Sequence, residues 1–242
     1  MKNIPGPFTG FSQELFNFLK DLRENNSIEW FHENKVRYQE YLVKPAKSYV
    51  GELADFFNKL NPAIRTEPKF NKTLMRINKD MRFAKGDPYR DYFLIHFGKF
   101  KMDSEFFLYF EADEFQIGLF INNSKGDDFF FKDNFKKHQD EIRKVFEKND
   151  LNKKYDLYEL DKEPIPLIKK FDAGIDLDEL PKLKYLLFQK VHLPNYKTLF
   201  SDELLVESVK IFSSLYPLYI FAISPNPLKE LRRFEDNFGI TF

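Results

Sequence analysis

The chain contains no cysteine in its 242 residues. That absence excludes a disulfide framework, a thiolate nucleophile and Cys-ligated zinc, and it fits a reducing compartment. Net charge is also missing, because 38 basic and 38 acidic side chains cancel. The chain therefore lacks the global positive field of a dedicated nucleic-acid binder, although a local basic patch is compatible with neutrality. No apolar run reaches the roughly 18 residues of a membrane span, the nearest being LYPLYIFAI. The opening MKNIPGPFTGF lacks the apolar region of a signal peptide. These absences lead us to expect a soluble, cytoplasmic protein that does not engage a membrane.

Other chemistries are excluded by spacing. His32, His96, His138 and His192 are scattered, and none has a second histidine or a carboxylate at zinc-ligand spacing. Neither a metal nor a cofactor is expected. The glycine pattern and Lys-Ser/Thr ending of a phosphate-binding loop are absent, as is a nucleophile elbow.

What is abundant is aromatic. Thirty phenylalanines and an aromatic fraction of 18% require a core built largely from rings. Phe8 and Phe11 should pin a Pro/Gly-punctuated arm to the body. Ser12 then caps a helix whose Leu15, Phe18, Leu19 and Leu22 fall on one stripe, ending at Asn25-Asn26. Ser27 caps a second helix, with Trp30, Phe31, Tyr38 and Leu42 as its aromatic face. Pro45 suits the first turn of a third, which Asn61-Pro62 ends.

Beyond residue 92 the period changes to two. Tyr92 to Phe100, Phe106 to Ala112 and Phe115 to Ile121 read as strands, the last two as an antiparallel hairpin. A helix is predicted from about Asp128 to Lys148. Asp156 to Leu160 and Pro164 to Phe171 read as short strands, with Pro164 and Pro166 marking an edge. A strand over Phe188 to Leu193 precedes a last long helix capped by Ser201, which Pro217 kinks or ends. The tail from Pro225 reads as solvated. The sum is one α+β domain over residues 1–242, with N-terminal helices packed on a predominantly antiparallel sheet and further helices after the hairpin and near the C-terminus.

Residues 68–92, PKFNKTLMRINKDMRFAKGDPYRDY, concentrate seven basic and three acidic side chains. Read as an extended segment, 74–83 would place Arg76, Asn78, Asp80 and Arg82 on one face and Ile77, Met81 and Phe83 on the other. Two guanidiniums flanking one carboxylate leave spare donors whose forks match phosphate or carboxylate. The leading expectation is a pocket for a phosphate- or carboxylate-bearing small molecule, lined by Arg76, Arg82 and Lys85. Asp80 would orient the guanidiniums, and Asp80 or Asp87 would act as general base if chemistry occurs there. Lys85-Gly86-Asp87-Pro88-Tyr89-Arg90 is a turn by composition, able to present Lys85, Tyr89 and Arg90 to a ligand. On the second helix, Trp30 and Asn34 at i and i+4, with Lys35 on the neighbouring strip, are candidate walls. Each has a structural reading too: an Arg-Asp lock between helices and sheet, a solvated turn, a core aromatic stripe. A second functional reading is a non-catalytic module that docks an acidic partner or nucleic acid through the same basic stretch.

Three blocks carry a resemblance. FTGFSQELFNFLKDLRENNSIEWFHENKVRYQEYLVKPA, PKFNKTLMRINKDMRFAKGDPYRDYF and the more diffuse FQIGLFINN, KYLLFQKVHL and YPLYIFA set are similar to the uncharacterised family catalogued as domain of unknown function 2461. Trp30, Asn34, Lys35, Arg76, Asp80, Arg82, Lys85 and Tyr89 fall on the signature positions of that family. The resemblance implies no activity. Ala84 stands where the family usually has Ser, Arg90 where it has Lys, and one residue is missing between Lys85 and Pro88.

Overall fold

The computed structural model describes residues 6–83, 85–100, 102–124 and 126–238. Its helices are α1 (Gln13–Glu24), α2 (Ile28–Tyr38), α3 (Lys44–Leu60), α4 (Phe131–Lys148), α5 (Glu203–Ile223) and α6 (Pro227–Phe238). Its strands are β1 (Phe93–Phe97), β2 (Glu105–Phe110), β3 (Phe115–Asn122), β4 (Asp156–Leu160), β5 (Pro164–Ile168) and β6 (Tyr185–His192). The sheet runs β1-β2-β3-β6-β4-β5, and the protein is α+β as its periodicity predicts. Two compact units interleave along the chain.

The first unit takes residues up to Phe97, Phe107–Gln116 and Val191–Val209. Ser12 occupies the N-cap position of α1 but its hydroxyl makes none of the expected cap hydrogen bonds, while Leu15, Phe18, Leu19 and Leu22 are buried at the predicted spacing. The Ser27 hydroxyl accepts from the Trp30 amide, satisfying one of the donors that open α2. Between α2 and α3 the chain does not break. Gln39–Val43 forms a π-turn that carries one helix into the next, a feature that periodicity does not reveal. The anchored arm is present: Phe8 meets Tyr49 edge-on at 5.3 Å and Phe11 meets Phe110 at 4.8 Å. Gly10 sits at φ +106 with a would-be Cβ 2.3 Å from the Phe200 carbonyl carbon, so only glycine lets the arm lie this close. The Phe11 amide then donates to the Leu199 carbonyl at 2.9 Å. Tyr49 and Phe57 of α3 reach the Phe97 ring of β1, the second by stacking at 4.3 Å.

The second unit takes Gly98–Phe106, Ile117–Lys190 and Lys210–Phe242. Phe146, Phe171 and Phe188 form a three-ring cluster with centroids 5.2 to 5.7 Å apart. Phe106 packs on Phe212 and Tyr219. The antiparallel pair β4 and β5 carries a bulge between Leu157 and Tyr158, and β5 ends the sheet, as its two prolines foretell. Helix α4 starts at Phe131, three residues later than predicted, and His138 leaves helical geometry at φ −138, ψ 36. Pro217 does not end α5, which continues to Ile223. By length and composition α5 could cross a membrane, yet 67% of its apolar window is buried inside the protein. The tail beyond Pro225 is not wholly solvated. It folds into α6, and Phe234 packs against Tyr216 at 5.0 Å while Lys229, Arg232 and Arg233 face solvent. Pro227 and Phe234 are buried and Leu231 between them is half-buried, an i, i+4, i+7 stripe that seats the helix.

Candidate functional site

The stretch 68–92 belongs to the first unit and is pinned at its base. Asn78 and Tyr89 form an antiparallel bridge, the Lys79 amide donates to the Pro88 carbonyl at 2.8 Å, and the Arg90 amide donates to the Ile77 carbonyl at 2.8 Å. Ile77 and Tyr89 are buried, and the Tyr89 ring stacks on Phe31 of α2 at 4.2 Å. Asn26, in the joint between α1 and α2, brackets the same residue from the other side. Its Nδ2 donates to the Tyr89 carbonyl and its Oδ1 accepts from the Tyr89 amide.

Above this base the extended reading of 74–83 fails. The Phe83 amide donates to the Asp80 carbonyl at 3.0 Å, closing a turn over Asp80–Phe83. Met81 and Phe83 therefore do not join Ile77 on an inner face. Phe83 is 86% exposed and Met81 45%. The physical reason is local: Asp80 satisfies its own neighbourhood, its Oδ1 accepting the Arg82 amide as well as Nε, which favours a turn over a strand.

Asp80 and Arg82 form a two-pronged pair, Nε to Oδ1 at 2.9 Å and Nη2 to Oδ2 at 2.6 Å. Hydrogen bonding to the Arg82 side chain, then to its amide, holds the Asp80 carboxyl below the usual range, and Asp80 raises the Arg82 guanidinium in return. A carboxylate so satisfied is a weak proton acceptor. The pair is solvent-facing, with the Arg82 side chain 80% exposed, so it does not lock helices to sheet. Arg82 also lies over the Phe83 ring at 5.5 Å.

The remaining candidates are distributed rather than convergent. Arg76 is exposed and lies over Phe70 at 5.7 Å. It also opposes the rise that burial imposes on the Tyr38 phenol. Arg90 is turned inward, its Nη1 donating to the Arg76 and Asn78 carbonyls at 3.2 and 2.9 Å. That makes it a clamp on the hairpin base. Lys85 and Asp87 are exposed beside Gly86 at φ +85, while Ala84 lies outside the described residues. Burial, then Glu29, raises the Tyr89 phenol. On α2, Trp30 leans on Phe18 of α1 at 5.7 Å, Asn34 donates to the Trp30 carbonyl, and Lys35 is exposed. Phe31, on the next strip, is the side chain that stacks on the hairpin, while Tyr38 packs on Phe31 and on Phe93 of β1.

Arg23 is the ionic lock that residue spacing did not disclose. Its Nε reaches Asp91 and its Nη1 reaches Asp113, both at 2.9 Å, joining α1 to the segment before β1 and to the β2–β3 turn. Glu111, also on that turn, accepts from the Tyr109 hydroxyl at 2.8 Å. Among the described residues no group of three or more His, Cys, Asp or Glu could hold a metal ion.

A family described as a conserved hypothetical protein, DUF2461, matches residues 14–221, which is most of the chain and includes the stretch 68–92. No curated protein matches.

Proposed function

Because the chain belongs to DUF2461, a family of conserved hypothetical proteins with no activity in its description, we propose its function from the site itself: residues 68–92 form a non-catalytic docking surface for an acidic polypeptide segment. The observation that carries this reading is the tip, where Phe83 is 86% exposed with Met81 beside it and Arg82 across its ring. A large apolar side chain held in water next to cations costs hydration free energy unless a partner covers it. Arg82 brings a cation to it and exposed Arg76 and Lys85 lie on the same stretch, while Arg90, Asn26 and Phe31 hold the base. A rigid base under an exposed tip lowers the ordering cost of association.

What favours an acidic peptide over a nucleic acid is the apolar part of the tip rather than its charge. Met81 and Phe83 offer apolar contact of the kind an acidic peptide with aromatic or aliphatic residues can match. Enclosure of a small anion finds less support, since Arg90 and Arg82 already have partners and Lys85 and Asp87 face solvent.

Fluorescence anisotropy with a labelled Glu/Tyr copolymer and, separately, an oligo-dT strand tests the reading over a salt series. The copolymer should bind wild type and lose most of its affinity to Phe83→Ser and to Arg82→Glu. Tighter oligo-dT binding with a steep salt slope would transfer the surface to nucleic acid. Thermal stabilisation by phosphate or citrate that Arg82→Ala abolishes, without copolymer binding, would restore the small-anion pocket.

A further inference from the structure

The second unit carries an exposed apolar tip of its own, and the charge around it is opposite to that of the hairpin. Residues 172–179, DAGIDLDE, hold four acidic side chains and no basic one. The loop is fixed largely by its first residue. Asp172 Oδ1 accepts the Gly174 amide at 2.9 Å, and its carbonyl accepts the Ile175 and Asp176 amides at 3.0 and 2.8 Å. The Asp172 amide donates to Asp176 Oδ2 at 2.9 Å, which closes the loop on itself. From outside, Asn152 Oδ1 accepts the Ala173 amide at 2.9 Å and Arg143 donates to the Ala173 carbonyl. Phe171, Ala173 and Leu177 are buried, yet Ile175 between them is 83% exposed. A braced backbone therefore holds this side chain in water. The acids beside it are only partly neutralised. Lys153 pairs with Asp172 at 3.2 Å and Lys182 with Glu179 at 2.7 Å, whereas among the described residues no cation pairs with Asp176 or Asp178. The hairpin shows the reverse, since Arg76 and Lys85 are exposed and, among the described residues, have no acidic partner.

We propose that the acidic segment docking on residues 68–92 is the 172–179 loop of a second copy of this chain, a proposal that rests on the docking reading of that stretch. Phe83, Met81 and Ile175 are each open to solvent in the single chain, so covering them takes another molecule. Ile175 supplies the apolar contact for the tip, and Asp176 and Asp178 supply carboxylates for the unpaired Arg76 and Lys85. Equal numbers of acidic and basic residues also leave no overall repulsion between copies. Because the two surfaces differ, the contact is head-to-tail, and every pair keeps one free tip and one free loop. A few apolar side chains inside a charged rim make a small interface, so the association is transient.

Sedimentation velocity of the full chain, from micromolar to submillimolar concentration, tests this with two variants. Phe83→Ser removes the tip and keeps the loop, whereas Ile175→Ser combined with Asp178→Lys removes the loop and keeps the tip. The weight-average sedimentation coefficient of wild type should rise with concentration, and the rise should shrink severalfold at high salt. Each variant alone should lose that rise. An equimolar mixture of the two should regain association yet stop at dimers, because each pair then holds one working tip and one working loop. The three substituted side chains are exposed, so unchanged melting temperatures show that the losses are not unfolding. A wild type that stays monomeric throughout, or a mixture that fails to associate when wild type does, would overturn the proposal. Copolymer binding that persists in a monomeric wild type leaves the docking surface standing with a different partner, while loss of both copolymer binding and self-association removes the surface and this proposal together.

Discussion

Asn26 holds Tyr89 by its backbone, donating to its carbonyl at 3.0 Å and accepting from its amide at 3.1 Å. The pairing mimics one rung of a β-ladder, supplied by a side chain from a helix joint. It lets a charged hairpin with one narrow bridge keep a defined base.

Replacing Asn26 by Ala removes both bonds and leaves two part-buried backbone groups without them. The expected loss is about 1 to 3 kcal/mol of unfolding free energy, measured by urea denaturation. Trypsin should also cut after Arg82 or Lys85 faster than in wild type, because the base no longer restrains the tip.

Phe83→Ser should do the opposite: stability unchanged within about 0.5 kcal/mol, since the ring is exposed, and copolymer affinity lost. A large fall in melting temperature would mean that the ring is buried in solution, and the docking reading would have lost its main support.

Gly10→Ala should destabilise by at least about 2 kcal/mol, combining a strained left-handed backbone with a clash into the Phe200 main chain. Gly86→Ala is the contrast. It shares a positive φ, but nothing lies within 4 Å of its would-be Cβ, so only the smaller conformational cost applies.

Asp103 supplies a pH test. It is fully buried between β1 and β2, its Oδ2 accepts the Lys99 amide at 3.1 Å, and burial pushes its carboxyl up to about 6 against the partly compensating Lys99. The folded state therefore holds this proton more tightly than the unfolded chain. Its contribution is fully present below the unfolded value near 3.8 and is lost as pH rises through about 6. Asp103→Asn should gain stability relative to wild type by up to about 3 kcal/mol between pH 4 and pH 7, seen by denaturation at both values. A pH-independent difference would refute the linkage.

Much of the fold was legible because period and caps agree. The α1 stripe, the Ser27 cap and the edge position implied by Pro164 and Pro166 needed only local chemistry. The π-turn at Gln39–Val43 and the break at His138 did not show, since both alter backbone geometry without altering side-chain type. The candidate site was half legible. Charge density located 68–92, but alternation misassigned Met81 and Phe83, because the Asp80 carboxylate competes for the Arg82 amide and bends the chain. Arg23 escaped because its partners lie 68 and 90 residues away, beyond any local pattern.

The outermost strand has one further consequence. Two of the five residues of β5 are prolines with no N–H to offer, and Ile165 and Leu167 on that strand are 47% and 44% exposed. An apolar margin of this kind would ordinarily recruit a strand from a neighbouring molecule. The prolines deny such a strand part of its hydrogen-bond ladder, so a chain with thirty phenylalanines keeps its sheet from growing into the next copy.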